Sequence, residues 1–168
     1  MKTQQPTLSY DYYPVLKDAK ETLDIKVKCP WPGQVSRAEE LHDMFYPEHI
    51  LVRKARDGIA CRVICLESES YRGFFRHAND PMGESPYFEE AQKMIAGFEK
   101  AGGLVRRISG SVEAEISFAI ADSVRAVVFV GAWTAPKCFE RHAFPTKEKD
   151  ADLVQFLSKA FDLCWKAI

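Results

Sequence analysis

Cys138, Glu140 and His142 stand two apart in KCFERHAF. Alternate residues of an extended chain share a face, so these three side chains would point together. A thiol beside an imidazolium loses its proton more readily, which makes Cys138 with His142 a candidate nucleophile pair. No catalytic signature surrounds the cysteine, and a surface loop is the simpler reading. Glu113 and Glu115 form a second candidate, because paired carboxylates can divide acid and base roles when one pKa rises. A polar sheet face explains them more simply, with Arg106, Arg107 and Arg125 as cross-strand partners. His42, Asp43, Glu48 and His49 carry metal-binding groups, but their spacing matches no tetrahedral zinc pattern and Pro47 interrupts them. Gly102-Gly103 and Ser109-Gly110-Ser111 lack the spacing of a phosphate cradle. No catalytic residue, metal ligand or cofactor is therefore assigned.

The stretch SYRGFFRHAND, residues 70–80, has a different character. Neighbours on an extended chain point opposite ways, so Phe74 and Phe75 cannot easily enter one core together. Tyrosine, arginine and phenylalanine are the types enriched at interface centres. Tyr71, Arg72, Phe74, Phe75, Arg76 and His77 are accordingly the partner-binding candidates. The formal charge is −1, and Glu67, Glu69 and Asp80 border the stretch. Counterion release onto DNA or RNA would be weak, which makes nucleic acid an unlikely partner by this criterion. The expectation is a non-catalytic protein-binding domain of the chaperone, immunity-protein or adaptor type. Its partner would be a toxin, an effector or a complex subunit, and a homodimer is compatible with it. The alternatives are a small enzyme using Cys138/His142 or Glu113/Glu115 in a pocket between sheet and helix, and a small-molecule binder with an apolar cavity.

Which elements would position these groups? Residues 21–29 alternate, with Leu23, Ile25 and Val27 on one side and Asp24, Lys26 and Lys28 on the other, as in a half-buried strand. Asp57-Gly58 between the apolar runs 49–55 and 59–66 predicts a hairpin over 49–66, whose second arm is apolar enough to lie centrally in a sheet. Ser85-Pro86 opens a helix over 86–101 and Gly102-Gly103 closes it. The alternation from Val112 to Ile120, with strand-like runs on either side, predicts an antiparallel meander over 104–133. Leu153, Phe156, Leu157, Ala160, Phe161, Cys164 and Ile168 form an apolar stripe on a helix over 151–167, which would roof the meander. The fold class is α+β, with a mainly antiparallel sheet. An α/β alternative makes 112–121 helical.

A chain of 168 residues suits one domain, over residues 20–168, after a partly ordered segment 1–19. With 46% hydrophobic and 28% charged residues the composition is that of an ordinary globular protein. Five cysteines without a CxxC pair read as reduced thiols in the cytoplasm. No secretory leader or membrane span is expected.

Overall fold

The computed structural model describes residues 15–27, 50–66, 85–109, 114–135 and 138–168. The strands are β1 (Thr22–Lys26), β2 (Ala60–Leu66), β3 (Leu104–Ile108), β4 (Ala114–Ala121), β5 (Arg125–Ala135) and β6 (Cys138–Pro145). The helices are α1 (Ile50–Arg56), α2 (Ser85–Lys100) and α3 (Ala151–Ala167), the last preceded by a short 3-10 turn at Glu148–Asp150. The six strands make one sheet in the order β3-β2-β1-β4-β5-β6, so the fold is α+β. β1, β2 and β3 run parallel, while β4, β5 and β6 are antiparallel to their neighbours, β1 included.

The hairpin expected over 49–66 is not there. Its first arm is α1, whose Leu51, Val52 and Ala55 are buried at helical spacing. Gly58 still takes a positive φ of 89°, but it does so to end a helix. Its N–H donates to Ala55 O, and the next N–H, of Ile59, donates to Lys54 O, the paired bonds of a Schellman cap. A tight hairpin and this cap both need a left-handed residue, so Asp-Gly by itself does not separate them. α2 closes the same way. Gly102 has φ 101°, and Gly103 N–H donates to Phe98 O. A Cβ on Gly103 would stand 2.2 Å from the Phe98 ring, so only glycine fits there.

The meander expected over 104–133 also changes. β3 is not beside β4; it pairs with β2 at the far edge, with Ile64 opposite Arg106 and Cys65 opposite Arg107. The meander is β4-β5-β6, and 112–121 holds no helix over its described part, which is strand from Ala114. Its first turn uses no glycine: Asp122 (φ 51°) and Ser123 (φ 56°) are both left-handed, and Val124 N–H closes the turn on Ala121 O.

Both faces of the sheet carry helices. On one lie α1, α2 and a single helical turn at 15–18, around Leu23, Ile25, Val63, Phe98 and the thiols of Cys61 and Cys65. Burial pushes both thiols up to about 12, against the smaller pull of Lys54 on Cys61 and of Arg107 on Cys65. On the other lies α3, whose Val154, Leu157 and Phe161 pack on Ile64, Phe118, Ile120 and Ala126. Fully burying a side chain such as Phe161 is worth about 2–3 kcal/mol. The buried stripe of α3 is rotated from the expected one, because Leu153, Phe156, Cys164 and Ile168 are exposed.

Candidate nucleic-acid interface

The parallel strands start at one edge of the sheet, and their approach brings cations together. Segment 15–20 leads into β1, and the basic last turn of α1, with Arg53, Lys54 and Arg56, leads into β2. Lys54 joins the two: its Nζ donates to Lys17 O at 3.0 Å and to Ala19 O. Lys17, Lys20, Arg53 and Arg56 are exposed around it.

The β4–β5 turn closes the same edge from the other side. The Asp122 carboxylate accepts the N–H groups of Lys20 (2.9 Å), Glu21 (2.8 Å) and Thr22 (2.8 Å). Three successive N–H groups make a concave anion site, and here the protein's own carboxylate fills it. Partial burial would raise its pKa, but the three backbone donors and the charge of Lys54 outweigh that and hold it below the usual carboxylate range. Asp122 N–H also donates to Thr22 O at 3.0 Å, which fixes the turn to β1. Next to it Asp18 pairs with Arg125. Two of the anions at this edge are thus engaged internally, leaving Glu21 and Asp57 exposed among the cations.

A second ionic cluster lies under α3. Asp24, 4% exposed, sits on the face that the alternation of β1 assigns to solvent. Arg62 donates to its two oxygens at 2.6 and 2.7 Å and reaches Asp162 of α3 at 3.0 Å. The hydrogen bond to Asp24 and the two carboxylate charges, against the cost of burial, hold the guanidinium above its usual range. Arg62 also lies 5.0 Å over the Phe161 ring and 5.6 Å over Trp165, and Arg106 lies 4.7 Å over Trp165. Arg106 donates to Trp165 O at the carboxyl end of α3, where a cation complements the helix dipole. This cluster consumes its charges internally and holds α3 in place.

Of the residues singled out by type, Cys138, Glu140 and His142 stand at alternate positions of one strand, as an extended chain requires. Tyr71, Arg72, Phe74, Phe75, Arg76 and His77 lie outside the described residues, as do Glu113, His42, Asp43, Glu48 and His49. Cys138 and His142 fall within β6, opposite Ala135 and Val130, and Glu115 falls in β4 opposite Gly131. Arg106 and Arg107 cannot be cross-strand partners of Glu115, because β3 and β4 are separated by two strands. Among the described residues no group of three or more metal-binding side chains occurs, and no helix is long and apolar enough to cross a membrane. Two residues that do position the edge, Asp122 and Lys54, carried no motif. The signal for Asp122 was an acid in a short turn between two apolar strands, where aspartate tolerates the left-handed conformation.

No protein-family model matches the chain, and no curated protein sequence matches it significantly. Among solved structures it is similar to TrmBL2, an archaeal chromatin protein whose structure is reported to show a novel mode of DNA binding. The TM-score is 0.52 at 12% identity, over 95% of this chain and 48% of that one. The chain therefore spans about half the length of that neighbour, and the likeness establishes the fold. The expectations of a protein-binding chaperone, immunity protein or adaptor, and of nucleic acid as an unlikely partner, are corrected by it. The charge argument against nucleic acid weighed the net charge and the acids around residues 70–80, whereas a phosphate meets the local field of whichever surface it approaches.

Proposed function

We propose that the chain is a DNA-associated domain that meets the phosphate backbone through the cations at the amino edge of its parallel strands. The likeness to half of an archaeal chromatin protein carries this reading. Lys17, Lys20, Arg53 and Arg56 supply the contacts, while Asp122 and Asp18 are held by the fold itself. Long basic side chains on a rigid edge track phosphates without reading sequence. With Glu21 and Asp57 nearby and a formal charge of −1, the affinity falls in the non-specific range of about 10⁻⁴–10⁻⁶ M at physiological salt. The cytoplasmic setting expected from its reduced thiols belongs to the same proposal.

The test is fluorescence anisotropy of a labelled DNA duplex across a salt series. Binding should weaken steeply with salt, with log K falling by about 0.9 per log unit for each phosphate contact. Arg53→Ala with Arg56→Ala should weaken binding to unrelated sequences alike and reduce the salt slope by about 2. No binding at low salt, or binding that the double variant leaves unchanged, rejects the proposal.

A further inference from the structure

α3 carries a second apolar stripe that its own sheet does not cover. Leu153, Phe156, Ala160, Leu163 and Ala167 recur at alternating steps of three and four, the spacing of a coiled-coil seam. Phe156 is 66% and Leu163 71% exposed. At about 100° per residue this stripe lies on the flank of α3 away from Asp162 and Trp165, which contact β2 and β3. It thus borders the open part of the β4–β6 face. There Ile116, Val130 and Phe144 alternate onto the same side as Phe118 and Val128 and are also exposed.

We propose that this shoulder is the interface between two copies of the chain, paired through antiparallel α3 helices. The sequence of the helix complements itself in that arrangement. With Leu153 set against Leu163 of the second copy, Phe156 meets the small Ala160, and each contact occurs twice about the two-fold axis. In the same register Asp152 flanks the seam beside Lys166 of the other copy, again twice. Lys159 falls near its own counterpart, a small cost that long side chains relieve by splaying into water. The exposed Ile116, Val130 and Phe144 lie beside the seam and extend its apolar area.

The area agrees. Six large apolar side chains, Ile116, Val130, Phe144, Leu153, Phe156 and Leu163, expose roughly 600 Å² together, at the top of the range for the largest patch on a monomer. Wholly covered on both copies, these side chains contribute up to about 1,200 Å², the lower bound of a stable specific interface. The pairing stands independently of the DNA reading. Where both hold, it doubles the phosphate contacts available to one assembly.

Light scattering of the full chain, from micromolar to millimolar concentration, reads the outcome directly. The expected mass is twice 19.1 kDa. Phe156→Glu with Leu163→Glu should return it to a single chain with an unchanged circular dichroism spectrum, since neither side chain is in the core. Asp152→Lys should weaken pairing at least about tenfold, and adding Lys166→Asp should restore it. A single-chain mass throughout, or a charge reversal that fails to restore pairing, overturns the proposal. DNA anisotropy on the same samples separates the two readings: a dimer without salt-dependent binding sinks the DNA proposal alone, and binding by a strict monomer sinks this one alone.

Discussion

The two faces of the sheet solve the same burial problem with different chemistry. The face under α1 and α2 is mostly aliphatic and closed, with Phe98, Ser117 and two thiols among its buried groups. The face under α3 holds an acid, two arginines and three aromatic rings, and it stays open on one side. A dry aliphatic layer is stabilised in proportion to the area it buries. A layer containing Asp24 depends instead on geometry, because a buried carboxylate is tolerable only while Arg62 faces it. One face therefore degrades gradually under substitution, while the other fails at single residues.

The sharpest way to break this contrast is Arg62→Met. It leaves Asp24 buried without a countercharge and should cost about 3–5 kcal/mol in chemical denaturation. The double variant Asp24→Leu with Arg62→Met should recover most of that loss. If the single variant is as stable as the parent, the ionic cluster does not hold α3 to the sheet.

Asp122→Asn should have a smaller effect, about 2 kcal/mol, because it weakens three charge-assisted bonds without removing the side chain. The sign of its pH dependence follows from the depressed folded-state pKa. The contribution is fully present above the ordinary carboxylate range near 4 and is lost as pH falls through the lower folded value. Acid unfolding followed by circular dichroism should therefore lose part of its slope in the variant. An unaltered acid limb would show that the clamp adds no stability.

The smallest effect at neutral pH belongs to the closed face. The folded chain keeps the Cys61 and Cys65 protons until about 12, whereas unfolded thiols release theirs near 8.5. Stability should accordingly fall with rising pH through that window and fall less when both are alanine. Alkylation at neutral pH should label the exposed Cys164 and spare Cys61 and Cys65 until the chain unfolds. Prompt labelling of all three would mean that the layer under α1 and α2 opens locally.

Much of this was legible in local pattern. The alternation at Leu23, Ile25 and Val27, the apolar run that became the interior strand β2, and the extents of α2 and α3 all follow from periodicity within a dozen residues. The Asp57-Gly58 turn shows where such reasoning stops. Its backbone conformation was readable, but whether a strand or a helix preceded it depended on which face of 50–56 found a core. The candidate site was less legible still. Asp122 gains its role from three N–H groups about a hundred residues earlier, and Arg62 from an acid on a neighbouring strand and a helix at the chain's end. No spacing in the sequence encodes those meetings.

The sequence by itself determined where α2 and α3 lie, that 22–26, 60–66 and 114–121 are strands, and that one α+β layer structure would bury them, because periodicity acts between near neighbours. Only the tertiary structure decided that β3 crosses to the far edge, that Asp24 lies inside and that the cations meet at one edge. Strand order and ion pairing join residues far apart in the chain, and their energies depend on the dielectric and geometry that exist only once the sheet has formed.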